Sequence, residues 1–220
     1  MINILNNIAK GEFKQFTNAL SNRLKKPLPG KEAHNKMASR VRLNEIKFKY
    51  DTSNAVLSSV LILIYPDKDI LKTVFILRQT YDGVHSGQVS FPGGRKEDSD
   101  DSLIDTALRE SNEEVNIDPE KVQVLGVLSE MYIPPSNYLV LPVVGYQDSP
   151  PDFIPEKNEV AEIIETNLSF LFDQNLVKET LLDVRGYKIQ APYYDVDGHI
   201  VWGATAMILS ELKEVIESIN

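Results

Sequence analysis

The chain has no cysteine, which removes disulfide staples, thiolate metal sites and cysteine nucleophiles. Its three histidines, His34, His85 and His199, are too scattered to match a metal-ligand spacing. No apolar stretch is long enough to span a bilayer, and the start, MINILNNIAKGEF, lacks a basic region followed by a long apolar run. The cytoplasm is the expected location. Positive charge is also scarce: 23 Lys and Arg face 32 Asp and Glu, a formal net charge of −9. That balance argues against nucleic acid or an anionic membrane as a partner. A polyanionic small-molecule substrate remains accessible if bound cations mediate.

What is present fits one globular domain with extensions: 220 residues, 42% hydrophobic and 25% charged. Ile4, Leu5, Ile8, Phe13, Phe16, Leu20 and Leu24 recur at roughly helical spacing before the stop PLPG at 27–30. We read residues 1–50 as an N-terminal helix and lead-in packed on a main domain, 51–220. The helix could cover a substrate pocket, pair with a second subunit in a homodimer, or pack on the sheet. The runs 54–66 and 71–79 predict two strands joined by a short turn, and 81–101 a glycine-rich loop holding a short strand at 89–91. The acids Asp98, Asp100 and Asp101, with Ser99, are N-cap candidates for a helix over 103–115, with Ile104, Ala107, Leu108, Ser111 and Val115 as its buried stripe. Further strands are predicted over 121–133, 138–147 and 186–203, the last a hairpin turning at Asp197 and Gly198. A short helix over 168–172 and a terminal helix over 204–219 complete an α+β sandwich with a mixed sheet.

The stretch ALRESNEEVNI puts Glu110, Glu113 and Glu114 on one helical face. Like charges at such spacings cost a helix a few tenths of a kcal/mol per pair, so an isolated cluster is normally a solvated acidic face. Here the turn FPGGR lies just upstream, where backbone groups can approach a ligand closely. Clustered carboxylates with an exposed carbonyl are the hard oxygen donors that Mg²⁺ or Mn²⁺ prefers, with phosphate oxygens completing the shell. The ion would relieve the repulsion.

Residues 93–117, GGRKEDSDDSLIDTALRESNEEVNI, resemble the Nudix box, G-x5-E-x7-R-E-U-x-E-E-x-G-U with U aliphatic. Arg109, Glu110, Glu113 and Glu114 match its core in register. Counted back from Arg109, the upstream glutamate is matched by Asp101, with six residues after Gly94 instead of five. Ser111 replaces an aliphatic residue, and Asn116 replaces a glycine whose left-handed conformation asparagine tolerates. The stretch ILRQTYDGVHSGQVSFPGG, 76–94, resembles the signature of the coenzyme A pyrophosphatase branch, L-L-T-x-R-[SA]-x3-R-x3-G-x3-F-P-G-G. Arg78, Gly87, Phe91, Pro92, Gly93 and Gly94 fit it; Ile76, Gln79 and Gly83 depart. LPGKEAHNKM, EVAEII and IVWGATAMIL are similar to further segments of that branch.

The resemblance implies a Nudix α/β/α sandwich that hydrolyses a phosphoanhydride with Mg²⁺ or Mn²⁺. Glu110 and Glu114 are the expected metal ligands, with Glu113 as a ligand or water-orienting residue and the carbonyl of Gly93 or Gly94 as a further donor. Arg109 is expected to brace the loop against Asp101. Glu159 and Glu162 are general-base candidates. Arg78, His85, Phe91, Gly93 and Arg95 are the expected substrate contacts, with Arg95 or Lys96 replacing the branch arginine that is Gly83 here. Coenzyme A is the implied substrate; ADP-ribose, NADH or another nucleoside diphosphate derivative is the alternative, and a non-catalytic nucleotide sensor would have lost the glutamates. Tyr132, Tyr138, Tyr193, Tyr194 and Trp202 could stack on adenine or line a pantetheine channel, although strand-rich sequence more often places aromatics in the core.

Overall fold

A computed structural model describes residues 10–45, 50–80, 85–184 and 186–219. The expectations for Ile4, Leu5, Ile8 and Gly83 lie outside the described residues.

The N-terminal apolar spacing gives helix α1 (Lys10–Leu24), and two short helices follow, α2 (Lys31–Lys36) and α3 (Arg40–Glu45), in what the sequence reads as a loop. Then come β1 (Val56–Asp67), β2 (Ile70–Arg78), β3 (Val89–Ser90), β4 (Gly93–Arg95) and helix α4 (Leu103–Val115). The predicted strand over 121–133 is two, β5 (Gln123–Val127) and β6 (Met131–Ile133), followed by β7 (Tyr138–Tyr146). Strands β8 (Val160–Asn167) and β9 (Val177–Val184) were not expected: charged and polar residues interrupt both and many positions are exposed, so neither forms an apolar run. The short helix expected over 168–172 is present as a 3-10 helix, Leu168–Phe172. The hairpin is β10 (Tyr187–Val196) and β11 (His199–Trp202), turning at Asp197 and Gly198 with φ of 51° and 88°. Positive φ at both positions is what a two-residue hairpin turn requires. Helix α5 (Gly203–Glu217) closes the chain.

The main sheet is mixed. β1 runs parallel to β7 over nine register pairs and antiparallel to β2 and β4. Leu61 to Tyr65 of β1 are fully buried on both faces, as a central strand with a parallel neighbour demands. Ile62 and Ile64 join a core shared with α1 and α5, whereas Leu61, Leu63 and Tyr65 join one with Ala107 and Val115 of α4. Helices on both faces make the α/β/α sandwich. β9, β10 and β11 form a separate antiparallel sheet.

The N-terminal segment packs on this body. Phe13 meets Tyr146 edge to face at 5.6 Å, and Ser21 donates to the carbonyl of Leu125 at 2.9 Å. Its second anchor is Glu211 of α5, fully buried, whose carboxylate accepts from the Gly30 amide (2.9 Å), the Ser129 amide (3.2 Å) and hydroxyl (2.6 Å), and pairs with His34 Nε2 (2.8 Å). Burial would raise the Glu211 pKa, but these hydrogen bonds outweigh it and hold the carboxyl below its ordinary value.

Removing that carboxylate strands four donors at once. Glu211→Ala is expected to destabilise the fold by roughly 3 kcal/mol, read from urea unfolding. A loss under about 1 kcal/mol, the ordinary value of one hydrogen bond, would show that the clasp is dispensable.

Candidate functional site

Helix α4 begins and ends where local chemistry says it should, and this sets the register of its carboxylates. Ser102 is the N-cap, its hydroxyl accepting from the Asp105 amide at 3.2 Å, instead of any of the four residues before it. Asn116 terminates the helix in the left-handed conformation, φ 60° and ψ 32°. Of the expected stripe, Ala107, Ser111 and Val115 are buried, and Glu114 is buried with them at 2% exposure.

A glutamate buried in the stripe has to be answered by something, and β4 answers it. The Gly93 amide donates to Glu114 Oε2 at 2.8 Å, and Arg78 Nη1 lies 3.4 Å from Oε1. Burial pushes the Glu114 carboxyl up to about 7 despite these two partners, and Glu110 and Glu159 push in the same direction. Glu110 is raised as well, first by burial, against the opposing pull of Arg109. A Cβ added to Gly94 would fall 2.4 Å from Glu110 Oε2, so the Glu110 carboxylate occupies space that only glycine leaves open. At Gly93 the backbone itself is special: φ is 148°, and a Cβ would meet the Ser59 carbonyl at 2.3 Å.

Glu113 does not share this face. Its carboxylate is more than half exposed and accepts from Arg109 Nη1 at 3.0 Å. Arg109 grips Asp100 with two prongs, Nε to Oδ1 at 2.9 Å and Nη2 to Oδ2 at 3.0 Å, and also reaches Glu110 at 3.0 Å and the Arg95 carbonyl at 3.0 Å. The bracing acid is thus Asp100, which corrects the expected Asp101. With five residues intervening after Gly94 the next is Asp100; the additional residue lies after it, before the helix starts. Asp100 also accepts from the Glu97 amide and the Thr106 hydroxyl, and the Arg109 guanidinium holds its carboxyl well below the usual range. Lys96, offered as a substrate contact, instead donates to the Asp100 carbonyl.

These groups border a cavity of about 680 Å³. Glu110, Glu114, Glu159, Arg78, His85 and Arg95 all line it, as do Phe91, Gly93 and Gly94. Phe91 is a wall from the core side, 1% exposed and 4.9 Å from the Phe75 ring. His85, at φ 71°, contacts Gln88 Oε1 through Nδ1 at 3.1 Å. Glu162 is outside the lining and faces His199 Nε2 at 3.5 Å. Tyr132, Tyr138 and Trp202 line the cavity, while Tyr194 is core. Arg42 and Ser58 line it too; the sequence offered no signal for either.

Among the described residues, no three acidic or imidazole side chains converge into a complete metal site. The donors present nonetheless fit Mg²⁺ or Mn²⁺. Mg²⁺ is commonly held by one or two carboxylates plus substrate phosphates, and here two crowded, partly desolvated carboxylates flank the Gly93–Gly94 backbone.

A model of the NUDIX domain matches residues 56–183, more than half of the chain. The chain belongs to the Nudix family. The uncharacterized Nudix hydrolase NudL of Photorhabdus laumondii is 42% identical over 137 residues, 60% of this chain and 71% of that protein. NudL of Escherichia fergusonii is 37% identical over 186 residues, 79% of this chain and 90% of its own length. The crystal structure of RenU, a Nudix hydrolase of M. smegmatis, superposes with a TM-score of 0.53 at 16% identity, covering 76% of this chain and 88% of that one. The chain is a Nudix pyrophosphohydrolase acting on a nucleoside diphosphate derivative, and Nudix hydrolases generally use divalent metal ions. Among the described residues, no helix is long and apolar enough to cross a membrane.

The two glycines of this Nudix turn should separate by assay. Gly94→Ala displaces a flexible carboxylate, so hydrolysis should fall on the order of 10²-fold with the melting temperature nearly kept. Gly93→Ala meets backbone and should cost roughly 2 kcal/mol or more of stability; equal behaviour of the two would contradict the geometry. Asp100 titrates lower folded than unfolded, so its contribution is complete above the ordinary carboxylate range and lost as pH falls through and below it. Urea midpoints of wild type and Asp100→Asn should therefore differ most near neutrality and draw together progressively as pH falls from about 5 toward about 1. A gap independent of pH would refute the pairing.

Proposed function

We propose that this Nudix hydrolase cuts the diphosphate of coenzyme A or its acyl derivatives, releasing 3',5'-ADP and 4'-phosphopantetheine or its acyl form. The observation that carries the reading is the dual use of the run Phe91–Gly94. It matches the signature of the coenzyme A branch, and its glycine backbone both positions Glu114 and Glu110 and borders the cavity. A cavity of about 680 Å³ is of the size that encloses a ligand of this class. Two departures from the signature leave the cavity untouched: Ile76 is fully buried core, and Gln79 spends its side chain on the Lys157 carbonyl at 2.9 Å.

The anhydride oxygens are anionic and repel a nucleophile. Glu110 and Glu114, with the carbonyl of Gly93 or Gly94, would hold Mg²⁺ or Mn²⁺, which would supply charge neutralisation and acidify water. Arg78 supports Glu114 from the side and offers its remaining donors to a phosphate oxygen. Arg109 and Asp100 fix the turn that carries the glycines, and Glu113 steadies Arg109. Glu159, on the cavity wall, takes the proton of the attacking water, a position Glu162 does not occupy.

Purified protein with Mg²⁺ or Mn²⁺ should release 3',5'-ADP from coenzyme A and acetyl-coenzyme A at far higher kcat/KM than it turns over ADP-ribose, NADH or a dinucleoside polyphosphate. Glu114→Gln should lower that rate at least about a hundredfold. Preference for ADP-ribose or NADH would replace the substrate, and no turnover would point to a sensor.

A further inference from the structure

Among the described residues, one arginine lining this cavity is held by neutral groups. Arg42, on α3, donates from Nη2 to the carbonyl of Tyr132 at 2.7 Å, and the Tyr50 ring centre lies 5.5 Å from its guanidinium carbon. Tyr50 in turn sits 5.2 Å from the Tyr132 ring. These contacts hold the guanidinium in place without neutralising it. Among the described residues no carboxylate pairs with it, and its Nη1 is buried with no hydrogen-bond partner. A buried guanidinium nitrogen left without an acceptor is costly unless a ligand supplies one. Two hydroxyls on the same cavity wall share that condition: Ser58 Oγ, on a residue 3% exposed, and Ser90 Oγ.

The sheet gives the distance. Arg95 of β4, Ser58 of β1, Val140 of β7 and Met131 of β6 form one cross-strand row. Three strand spacings separate its ends, roughly 14 Å. Ser58 stands one spacing from the glycine turn, and Arg42 binds the carbonyl next to Met131 at the far end. The cavity therefore has a cleavage end, with Glu110 and Glu114, and a cationic end lying further off than one diphosphate spans.

We propose that Arg42 forms a subsite for a second anionic group of the substrate, a phosphomonoester separate from the diphosphate that is cut. Its ligand assignment rests on the coenzyme A reading, in which that group is the ribose 3'-phosphate. The planar fork of arginine suits a phosphate with two donors at once, and the free Nη1 is one of them. ADP-ribose and NADH carry no such phosphate, so Arg42 would sort coenzyme A from them even though the branch arginine is absent at Gly83.

The test is equilibrium binding of adenosine 3',5'-bisphosphate and of AMP to the full chain, to Arg42→Gln and to Arg42→Lys, by titration calorimetry. Neither ligand contains an anhydride, so the reading does not depend on turnover. Wild type should favour the bisphosphate on the order of tenfold, the worth of a hydrogen bond to a charged group; Arg42→Gln should erase the preference and Arg42→Lys restore part of it. Equal affinity of wild type for both ligands, or a preference that survives in Arg42→Gln, overturns the subsite. Should Arg42→Gln fail to fold, the wild-type ratio and Arg42→Lys decide. If the subsite binds as expected but coenzyme A is not hydrolysed, only the substrate assignment above has failed.

Discussion

The pairing of Arg109 with Asp100 is the contact on which the site's geometry depends. A two-pronged guanidinium–carboxylate bond ties the middle of α4 to the loop that leads into it, and the same guanidinium reaches the Arg95 carbonyl at the end of β4. Strand, loop and helix thereby become one rigid unit. Its rigidity matters because both glycine positions work only at close tolerance: the Gly93 backbone sits against Ser59 and Val60 of β1, and Gly94 sits against the Glu110 carboxylate. A loop free to shift by an ångström would lose the amide that Glu114 needs.

Seen from the helix, the same unit explains how three nearby glutamates coexist. Two guanidinium groups carry part of the load: Arg109 takes Glu113 and touches Glu110, and Arg78 approaches Glu114. The remaining imbalance is concentrated on Glu110 and Glu114, whose raised pKa values report carboxylates held where water is partly excluded. Stability alone would not select a buried glutamate in a helix stripe that could hold an alanine. The repulsion expected along the whole ExxEE face is thus narrowed to the two carboxylates beside the glycine turn.

Much of this was legible from local pattern. The span of α4, its asparagine terminus, the β10–β11 hairpin turn and the apolar central strands follow from periodicity and turn chemistry, which act over a few residues. What failed did so for equally physical reasons. Strands β8 and β9 carry too many exposed charges to show an apolar pattern and are held as strands by their neighbours β2 and β10. Asp100 and Asp101 are equivalent candidates until the insertion is placed, and placing it required knowing that Ser102 caps the helix. Glu162 and Glu159 lie three residues apart on one segment, yet one faces His199 and the other the cavity.

The sequence by itself determined the kind of chemistry: clustered carboxylates behind a glycine turn, in register with the Nudix box, are informative because catalytic spacing along one helix is a local property. Only the tertiary structure decided which of those carboxylates is buried, which acid braces the loop, and which distant residues share the cavity. Arg42 and Ser58 line one cavity with Glu114, and His34 finds Glu211 over most of the chain's length. Such meetings arise from sheet order and helix docking, which no window of the sequence encodes.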